Sequence, residues 1–529
     1  MSEDIDAYDV IIIGSGVGGL TAGLTLQSLK PDMKTLILEQ HYAPGGYISG
    51  FKRKGYYFDS GAEGLVFCGK DQIFKKALDD LNLNLDLLSI DPVEVLHYPD
   101  KTITIHANPE KYITELKQNF PENVDEIERF FDVLRKINHD YNSIVKSHLN
   151  PNFKELVKII LISPTMRKYA MMSFKDFLDK FITNNQLKDV LSVYCLWLGA
   201  PSDSIKAVAA GLTFFYPVFS GHFYPKGGMF AFADKLAKSF VERGGEIRYR
   251  EKVTKILTKR RKAIGVELAD GTQIHAHWII SNADLKRTVF EYVGLKKFPN
   301  SYLVKVAKKN QSISGFSVFL GLDKALKGYP SHMAYNLEAD KYIRTILNGK
   351  YDPKEVMIRI PSQIDPNLNK NGKSSVILLS FAPYDWENKW NSSNREKYAK
   401  TKEKYANKLI KLAENVIPDL SKHIDLKLIS TPLTFENYSL NTQGAWYGPR
   451  KGSQRIRRKT PIKRLVLTGA NTAGAGVPPN FFSGMDTAKF IVNRFDARKR
   501  TFRVLFPLIS HFAFKIKNRK ALFSHSLHQ

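Results

Sequence analysis

The chain has 529 residues, of which 43% are hydrophobic and 25% charged, a composition that excludes a largely disordered protein and suits several folded units. Its formal net charge of +27 predicts a surface that attracts polyanions such as anionic lipid, nucleic acid or an acidic substrate. No uncharged apolar run reaches the roughly 20 residues that a helix needs to span a bilayer, so any membrane contact is expected to be peripheral.

The cysteines and the first residues indicate the compartment. The chain has two cysteines, Cys68 and Cys195, which give neither metal-ligand spacing nor a disulfide framework, so we expect a reducing environment. Residues 1–8 are acidic and lead into an apolar run, without the basic region and cleavage site of a signal peptide. These features predict a cytoplasmic protein.

The opening segment predicts a strand, a tight turn and a helix that bind a dinucleotide. The apolar run 9–13 is typical of a buried parallel strand, and a helix is expected over 20–29. Between them, the spacing Gly14-x-Gly16-x-x-Gly19 permits a tight turn, close approach of a pyrophosphate and close helix packing. The helix N terminus favours the diphosphate through its free N–H groups and partial positive charge. A flexible glycine-rich turn without a ligand is the alternative.

A carboxylate stands where the ribose of a dinucleotide is expected. The second strand is predicted over 35–38, and Glu39 ends it about 20 residues past the last glycine, where it can accept hydrogen bonds from both ribose hydroxyls. An acidic side chain there disfavours a 2′-phosphate. Strand, helix and Glu39 agree, which favours nucleotide binding over a plain glycine turn. They do not distinguish FAD from NAD.

A second glycine pair follows a few residues later. Gly45 and Gly46 allow another close backbone approach, which a cofactor extended across the sheet would use. A Pro-Gly turn with no ligand is the alternative. The glycine- and aromatic-rich block 51–61 comes next, and together with the pair it favours the cofactor.

At this point the chain resembles the carotenoid and retinoid branch of the FAD-dependent oxidoreductases, which includes phytoene desaturase, carotenoid isomerase and retinol saturase. The resemblance lies in LILEQHYAPGG (36–46), GYYFDSG (55–61), YPKGGM (224–229), residues 244–253 and 281–283, GAWYGP (444–449) and residues 465–479. It implies a non-covalent FAD, since no cysteine lies near 465–490 to form a covalent flavin bond. One departure is Tyr47, because amine and porphyrinogen oxidases of the wider superfamily usually carry arginine after the glycine pair.

The glycine pattern, Glu39 and the resemblance together assign a set of residues to FAD. In the family, a valine placed like Val253 holds the adenine through its backbone. The assigned residues are Gly14, Ser15, Gly16, Gly18, Gly19, Glu39, Gln40, Gly45, Gly46, Tyr47, Gly61, Ala62, Val253, Asn282, Gly469, Ala470, Gly476 and Val477.

The later blocks predict further strands and one helix around the same cofactor. Strands are expected over 246–250, 264–268, 272–275, 278–280 and 465–468, with Asp270-Gly271 as a hairpin turn. A helix is expected to begin near Ser483. Aimed at the pyrimidine edge of the flavin, its N terminus would stabilise the reduced form; an ordinary strand-to-helix turn is the alternative.

Three residues are candidates for the substrate site. Trp446 and Tyr447 are expected to line a pocket as aromatic walls, with core packing as the alternative. Glu63 is a candidate general acid or base, with a surface turn as the alternative. His275 and His277 would face one side of a strand, where a solvated sheet face is expected rather than a metal pair, so no metal is predicted.

The resemblance implies an α/β fold in which a Rossmann-type FAD-binding domain is interleaved with a mixed α+β substrate domain. The FAD-binding domain is expected to comprise 1–90, 220–290 and 445–495. Residues 91–219 and 291–444 lack nucleotide signals and are expected to form a substrate domain that faces the membrane. Residues 496–529 are predicted to be a basic amphipathic tail.

Two segments are candidates for contact with an anionic membrane. Within 153–181, apolar residues sit beside Lys154, Lys158, Arg167 and Lys168, as in an amphipathic helix that lies in the interface; a helix packed on its own domain is the alternative. In the tail, basic clusters flank the apolar run 504–509, which resembles an interfacial anchor. A solvated tail or a nucleic-acid arm is the alternative, but no recognised nucleic-acid fold accompanies it, so no nucleic acid partner is expected.

The predicted function is hydride exchange at flavin N5 with an apolar polyene or isoprenoid, which needs little acid–base help. Two alternatives are an amine or porphyrinogen oxidase and a non-catalytic, prenyl-binding protein like the GDP dissociation inhibitors. The sequence does not determine whether double bonds are made, reduced or isomerised, nor does it identify the electron donor or acceptor.

Overall fold

The structure is a computed structural model that describes residues 8–144, 161–369, 372–384, 386, 390, 393–450 and 456–496. Within these residues the strands are, in chain order, β1 (Tyr8–Ile13), β2 (Thr35–Glu39), β3 (Gly50–Arg53), β4 (Tyr56–Asp59), β5 (Leu65–Val66), β6 (Leu87–Ser89), β7 (Glu94–His97), β8 (Thr102–Ile105), β9 (His222–Pro225), β10 (Glu246–Tyr249), β11 (Val253–Lys259), β12 (Lys262–Leu268), β13 (Gln273–Ser281), β14 (Ser314–Leu322), β15 (His332–Tyr335), β16 (Val356–Arg359), β17 (Ser374–Ala382), β18 (Ile424–Ser430) and β19 (Leu465–Leu467).

The helices of the described residues are α1 (Val17–Leu29), α2 (Ile73–Asp80), α3 (Pro109–Asn119), α4 (Val124–Ile144), α5 (Pro164–Tyr169), α6 (Phe174–Phe181), α7 (Asn185–Leu196), α8 (Ala207–Ser220), α9 (Met229–Glu242), α10 (Asn300–Ala307), α11 (Ala339–Leu347), α12 (Arg395–Ala413), α13 (Pro432–Ser439), α14 (Ala470–Ala473) and α15 (477–496). A π-helix spans Arg287–Gly294.

The first sheet has the order β10-β2-β1-β13, with β19 beside β13, and these strands are parallel. Its inner strand β1 is apolar on both faces, because Val10 and Ile12 pack into one core with α1 and α9 while Ile11 and Ile13 pack into another. This doubly covered parallel sheet confirms the predicted Rossmann-type α/β architecture.

Strand β13 pairs with three strands. Its first half pairs antiparallel with β12, and its second half pairs parallel with β1 and β19. The separate strands predicted over 272–275 and 278–280 are therefore wrong, since they are one continuous strand. The hairpin turn predicted at Asp270-Gly271 is confirmed between β12 and β13.

The second sheet has the order β18-β14-β17-β16-β15-β7-β8 and is antiparallel except for the pair β15 and β7. Strand β14 is buried along its whole length because it lies between β17 and β18 and beneath helices. A small aromatic and aliphatic cluster that includes Phe58 and Phe319 joins β4 to this sheet. The part of the molecule that is built on this sheet is thus mixed α+β, as predicted.

Several predicted element boundaries differ from the structure. Helix α1 begins at Val17 rather than residue 20, so Gly16 is its N-cap and Gly19, the last glycine of the pattern, lies inside it. Helix α15 begins at residue 477 rather than near Ser483, because the prolines at 478 and 479 fit a first helical turn, where their missing N–H groups are not needed. Strand β10 ends at Tyr249, since Arg250 adopts a left-handed φ of 62°.

The two candidate membrane segments are only partly described. Residues 145–160 and 497–529 lie outside the described residues, and with them the first part of the predicted interfacial segment, 153–160, and nearly all of the basic tail. The described remainder of the first segment forms two short helices rather than one. Ser163 caps α5 and Ser173 caps α6 through their side-chain oxygens. No helix in the described ranges combines the length and apolarity needed to cross a membrane.

Candidate functional site

A cavity of about 800 Å³ extends from the glycine loop after β1 to the inner face of the second sheet. At one end its wall consists of glycine backbone and the carboxylate of Glu39. At the other end it consists of apolar side chains from β14, β16 and β17, among them Phe319, Met357 and Phe381. One continuous space therefore joins a backbone-lined end to an apolar end.

The glycine loop owes its shape to close backbone contacts. Gly14 has a φ of 90°, and a Cβ at Gly19 would clash with the carbonyl oxygen of Gly14. The second pair closes onto this loop, since the Gly45 N–H donates to the Ser15 carbonyl at 3.0 Å and Gly45 itself has a φ of 113°. Within the described residues no side chain caps the N terminus of α1, which leaves that end to a ligand.

Glu39 is held at the carboxyl end of β2. Its Oε2 accepts from the Ser15 N–H at 2.8 Å and from the Ser15 hydroxyl at 2.7 Å, and its Oε1 accepts from the His41 N–H at 2.9 Å. The side chain is buried but lines the cavity. The carboxylate is thus fixed beside the glycine loop, where the ribose was predicted.

Distant parts of the chain meet at this end of the cavity. The Asn282 N–H donates to the Ile13 carbonyl at 3.0 Å, and the Thr468 N–H donates to the Ser281 carbonyl at 3.0 Å. A Cβ at Gly18 would lie 2.8 Å from the Cα of Gly469. The segments after β1, β13 and β19 therefore share one small volume, in which the Asn282 side chain leaves no room for a Cβ at Gly16 or Gly18.

Most of the residues predicted to bind FAD line this cavity. The exceptions are Ser15, Gly19 and Gly469, which hold the lining residues in place through the contacts just described. Gly14, Gly16 and Gly18 form a cradle that a Cβ would narrow, and Glu39 supplies the acidic group beside it. These residues fit a dinucleotide; the individual contacts stay predictions.

A buried carboxyl group in the cavity wall, that of Asp59, fixes the loop that carries Gly61. Asp59 accepts from the Tyr224 hydroxyl at 2.5 Å, the Tyr57 hydroxyl at 2.7 Å and the Met229 N–H at 3.0 Å, at the N terminus of α9. Burial raises the pKa of Asp59 to about 6, against the lowering effect of these donors. Nearby, burial raises the pKa of Tyr47 to about 12, and its hydroxyl donates to the Ala445 carbonyl at 3.1 Å.

The apolar end contains one polar cluster, which we call the Arg359 cluster: Arg359, Glu63 and Glu94. Arg359 Nε lies 2.7 Å from Glu63 Oε2, and Nη1 lies 2.8 Å from Glu94 Oε1. Burial raises the pKa of Glu94 to about 7, although the charge of Arg359 lowers it. Glu63 lines the cavity and therefore does not lie in a plain surface turn, which was the alternative for this residue.

Two histidines beside this cluster are neutral. Burial, followed by the charge of Arg359, lowers the pKa of His222 to about 3 and that of His332 well below its usual value. Their rings lie 5.6 Å apart between centroids, and both residues line the cavity. Among the residues that the structure describes, no group of three or more His, Cys, Asp or Glu is arranged to hold a metal ion.

Trp446 and Tyr447 both line the cavity. The Trp446 ring packs against Phe381 and Phe435, at 5.6 and 5.2 Å between centroids. It also lies so close to Gly315 of β14 that a Cβ there would overlap the indole. Trp446 is therefore both a wall of the cavity and part of the packed core, which the sequence had presented as alternatives.

Sequence reasoning missed Arg359, Glu94, His222 and His332. The available signal was a charged or polar side chain inside a short apolar strand, as Arg359 follows Val-Met-Ile and Glu94 interrupts Val-Glu-Val. Such residues are rarely buried unless paired. Their partners come from distant parts of the chain, so the sequence did not predict which of these side chains would be in contact.

Comparison with known proteins gives a consistent result. The model of a family described as flavin containing amine oxidoreductase matches residues 17–491. The chain is 29% identical over 491 residues to prolycopene isomerase 1, chloroplastic, of an Oncidium hybrid cultivar, covering 90% of this chain and 80% of that protein. It is 26% identical over 535 residues to all-trans-retinol 13,14-reductase of Danio rerio, covering 93% and 86%. An oxidoreductase structure from Methanosarcina mazei has a similar fold, with a TM-score of 0.61 and 16% identity over 91% of this chain and 99% of that one.

Proposed function

The chain belongs to the flavin containing amine oxidoreductase family, and from this premise we propose that it transfers hydride between FAD and an apolar polyene or isoprenoid. The named relatives that align with most of the chain act on a carotenoid and on a retinoid. An amine or porphyrinogen oxidase and a prenyl-binding protein without flavin are not favoured.

One observation carries the proposal: the cradle of glycine backbone and the apolar wall belong to one cavity. Bound FAD supplies a hydride donor or acceptor at N5. Gly14, Gly16 and Glu39 are assigned to hold the cofactor, with Val253 at the adenine. Phe381 and Trp446 provide apolar surface for a substrate and exclude water from it.

Glu63 is assigned as the candidate acid or base. Among the cavity-lining residues it is the carboxyl group at the apolar end, and Arg359 fixes its position through a 2.7 Å contact. Arg359 and Glu94 act through Glu63 and are positioning residues. The neutral His222 and His332 add no charge to the pocket at neutral pH.

We further propose that the protein meets its substrate at an anionic membrane surface. Leu161, Ile162 and Met171 are exposed to 68%, 58% and 79%, beside the basic last turn of α5. Met166 and Ala170, from the same short segment, line the cavity. An apolar rim with basic neighbours at the cavity would let a membrane-dissolved substrate enter without crossing water.

The test uses the purified FAD-bound protein under anaerobic conditions. The flavin is left oxidised in one set of runs and is reduced chemically in a second set. Candidate polyenes, polyamines and a porphyrinogen are added separately to each form, the flavin absorbance is followed, and the products are separated by chromatography. We expect a polyene to change the flavin spectrum or to emerge saturated, desaturated or isomerised. If only an amine or a porphyrinogen reacts, the substrate proposal is wrong. A chain that never retains flavin would contradict the cofactor assignment as well.

A further inference from the structure

The Arg359 cluster is placed unusually for a cavity that is otherwise apolar at this end. The side chains of Arg359 and Glu94 are each 5% exposed, whereas that of Glu63 is 28% exposed and lines the cavity. Arg359 Nη1 also donates to the Met333 and Ile358 carbonyls, both at 3.1 Å. The guanidinium of Arg359 is thus held by Glu94 and two backbone carbonyls, and Glu63 is the carboxyl group of the cluster that a ligand in the cavity can reach.

Glu63 retains unused hydrogen-bonding capacity. Its Oε2 accepts from Arg359, but Oε1 has no hydrogen bond within the described part of the chain. Tyr447 lines the same cavity, and its hydroxyl likewise has no hydrogen bond among the residues that the structure describes. Burial, and next the charge of Glu63, raise the pKa of Tyr447, so its hydroxyl is protonated and able to donate. The wall of one cavity therefore offers an acceptor, Glu63, and a donor, Tyr447, near enough for the charge of Glu63 to act on the phenol.

A pure hydrocarbon ligand would displace water from Glu63 and Tyr447 without forming a hydrogen bond to either side chain. A polar group that loses water without gaining a hydrogen bond destabilises the complex, and a charged one does so more strongly. A hydroxyl satisfies both at once, because it donates to a carboxylate oxygen and accepts from a phenol. A carboxylate ligand is disfavoured, since the cluster already has two carboxyl groups around one guanidinium.

We propose that the substrate is an isoprenoid alcohol whose hydroxyl is bound between Glu63 and Tyr447, an assignment that rests on the proposed function. The apolar chain of the alcohol lies against the walls that include Phe381 and Trp446. Glu63 and Tyr447 then select among isoprenoids by the chemistry of the end group, whereas the apolar walls bind the hydrocarbon chain by burying its surface.

The test measures binding to the FAD-bound protein in detergent micelles. Three ligands share one C20 skeleton: geranylgeraniol, geranylgeranoic acid and the parent hydrocarbon. Binding is followed by the perturbation of flavin absorbance and by tryptophan fluorescence. We expect the alcohol to bind at least tenfold more tightly than the hydrocarbon and the acid.

Two variants locate the selectivity. Tyr447→Phe removes one oxygen and keeps the ring, and Glu63→Gln keeps the shape and removes the charge. Each is expected to weaken alcohol binding severalfold while hydrocarbon affinity stays within twofold, with retained flavin as the check on folding. The conservative variant Glu63→Asp, which keeps the charge on a shorter side chain, is expected to retain more of the alcohol preference than Glu63→Gln.

The outcomes separate the two proposals. If the hydrocarbon binds as tightly as the alcohol, or if Tyr447→Phe keeps the full preference, the hydroxyl site is wrong while the polyene function stands. If none of the three binds and no isoprenoid changes the flavin spectrum, the proposed function fails and the hydroxyl site fails with it.

Discussion

Arg359 and Glu63 form an ion pair, with Nε and Oε2 2.7 Å apart, that links the second sheet to the loop following β4. Glu63 stands two residues after Gly61, in the segment assigned to the cofactor, whereas Arg359 ends β16 beneath the apolar walls. The pair therefore connects the cofactor end of the cavity to its substrate end. Substitutions of Arg359 or Glu63 are expected to change substrate binding and turnover more than the amount of flavin that the protein retains.

Glu63→Gln distinguishes two roles for this carboxylate. If Glu63 transfers a proton, kcat falls on the order of 100-fold or more with little change in KM. If Glu63 only binds the substrate, KM rises and kcat is largely kept. Steady-state kinetics with the substrate identified by the flavin assay gives both constants. Unaltered kcat removes Glu63 from the proton-transfer step.

Gly19→Ala is expected to abolish flavin binding. The new methyl group would clash with the Gly14 carbonyl oxygen and force the glycine loop open. The measurement is the ratio of flavin to protein absorbance after purification. Gly211→Ala is the matched control, because it lies in helix α8 with only the end of the Leu134 side chain at 3.2 Å. Full flavin content in Gly19→Ala would contradict the cradle.

Gly315→Ala is expected to displace Trp446. The Cβ would overlap the indole, and such overpacking costs about 1–3 kcal/mol of stability. We expect a lower melting temperature and weaker substrate binding, with the flavin retained because the atoms nearest this Cβ belong to Trp446 and not to the cradle. Ser317→Ala, on the same strand, loses an oxygen instead of gaining a methyl and serves as the control. An unchanged tryptophan fluorescence spectrum in Gly315→Ala would contradict the predicted displacement.

Asp59 makes stability depend on pH. Burial raises its folded-state pKa to about 6 from 3.8, so the folded protein binds this proton more tightly than the unfolded chain does. The resulting stabilisation is complete below pH 3.8 and is lost as pH rises to about 6, by on the order of 3 kcal/mol. Urea unfolding across this range should show a steeper fall in the natural protein than in Asp59→Asn. Parallel curves for the two proteins would rule this out.

Binding to anionic liposomes should depend on the exposed apolar rim. Replacing Leu161, Ile162 and Met171 by glutamine is expected to reduce cosedimentation with phosphatidylserine vesicles, and deleting 498–529 is expected to reduce it further, more so at low salt. The control replaces Leu295 and Val304, exposed to 55% and 50%, in the same way. Equal losses in rim and control variants would contradict a specific docking surface.

The cofactor end could be predicted because its information is local. A strand, a glycine spacing and Glu39 stand within one short segment, and the structure brings them together around Ser15. The boundaries were less predictable, since prolines at 478 and 479 look like helix breakers unless they are known to sit in a first turn.

The substrate end could be predicted only in part. Trp446 and Tyr447 were found through the resemblance, but Arg359 and Glu94 were not. Whether a buried charge is paired depends on strands β7 and β16 meeting the loop that carries Glu63, and strand order is not encoded in any local spacing. The same applies to β19, whose place beside β13 follows from the completed sheet.

That placement of β19 has a consequence for synthesis of the chain. The glycine loop is synthesised about 450 residues before β19, the strand beside β13, at Leu465–Leu467. Helix α15, whose Gly484 packs against α1, is made later still. A nascent chain thus carries a half-built nucleotide pocket with an open sheet edge through most of translation. A message cut short before that point yields a chain whose β13 edge is free to pair with other chains.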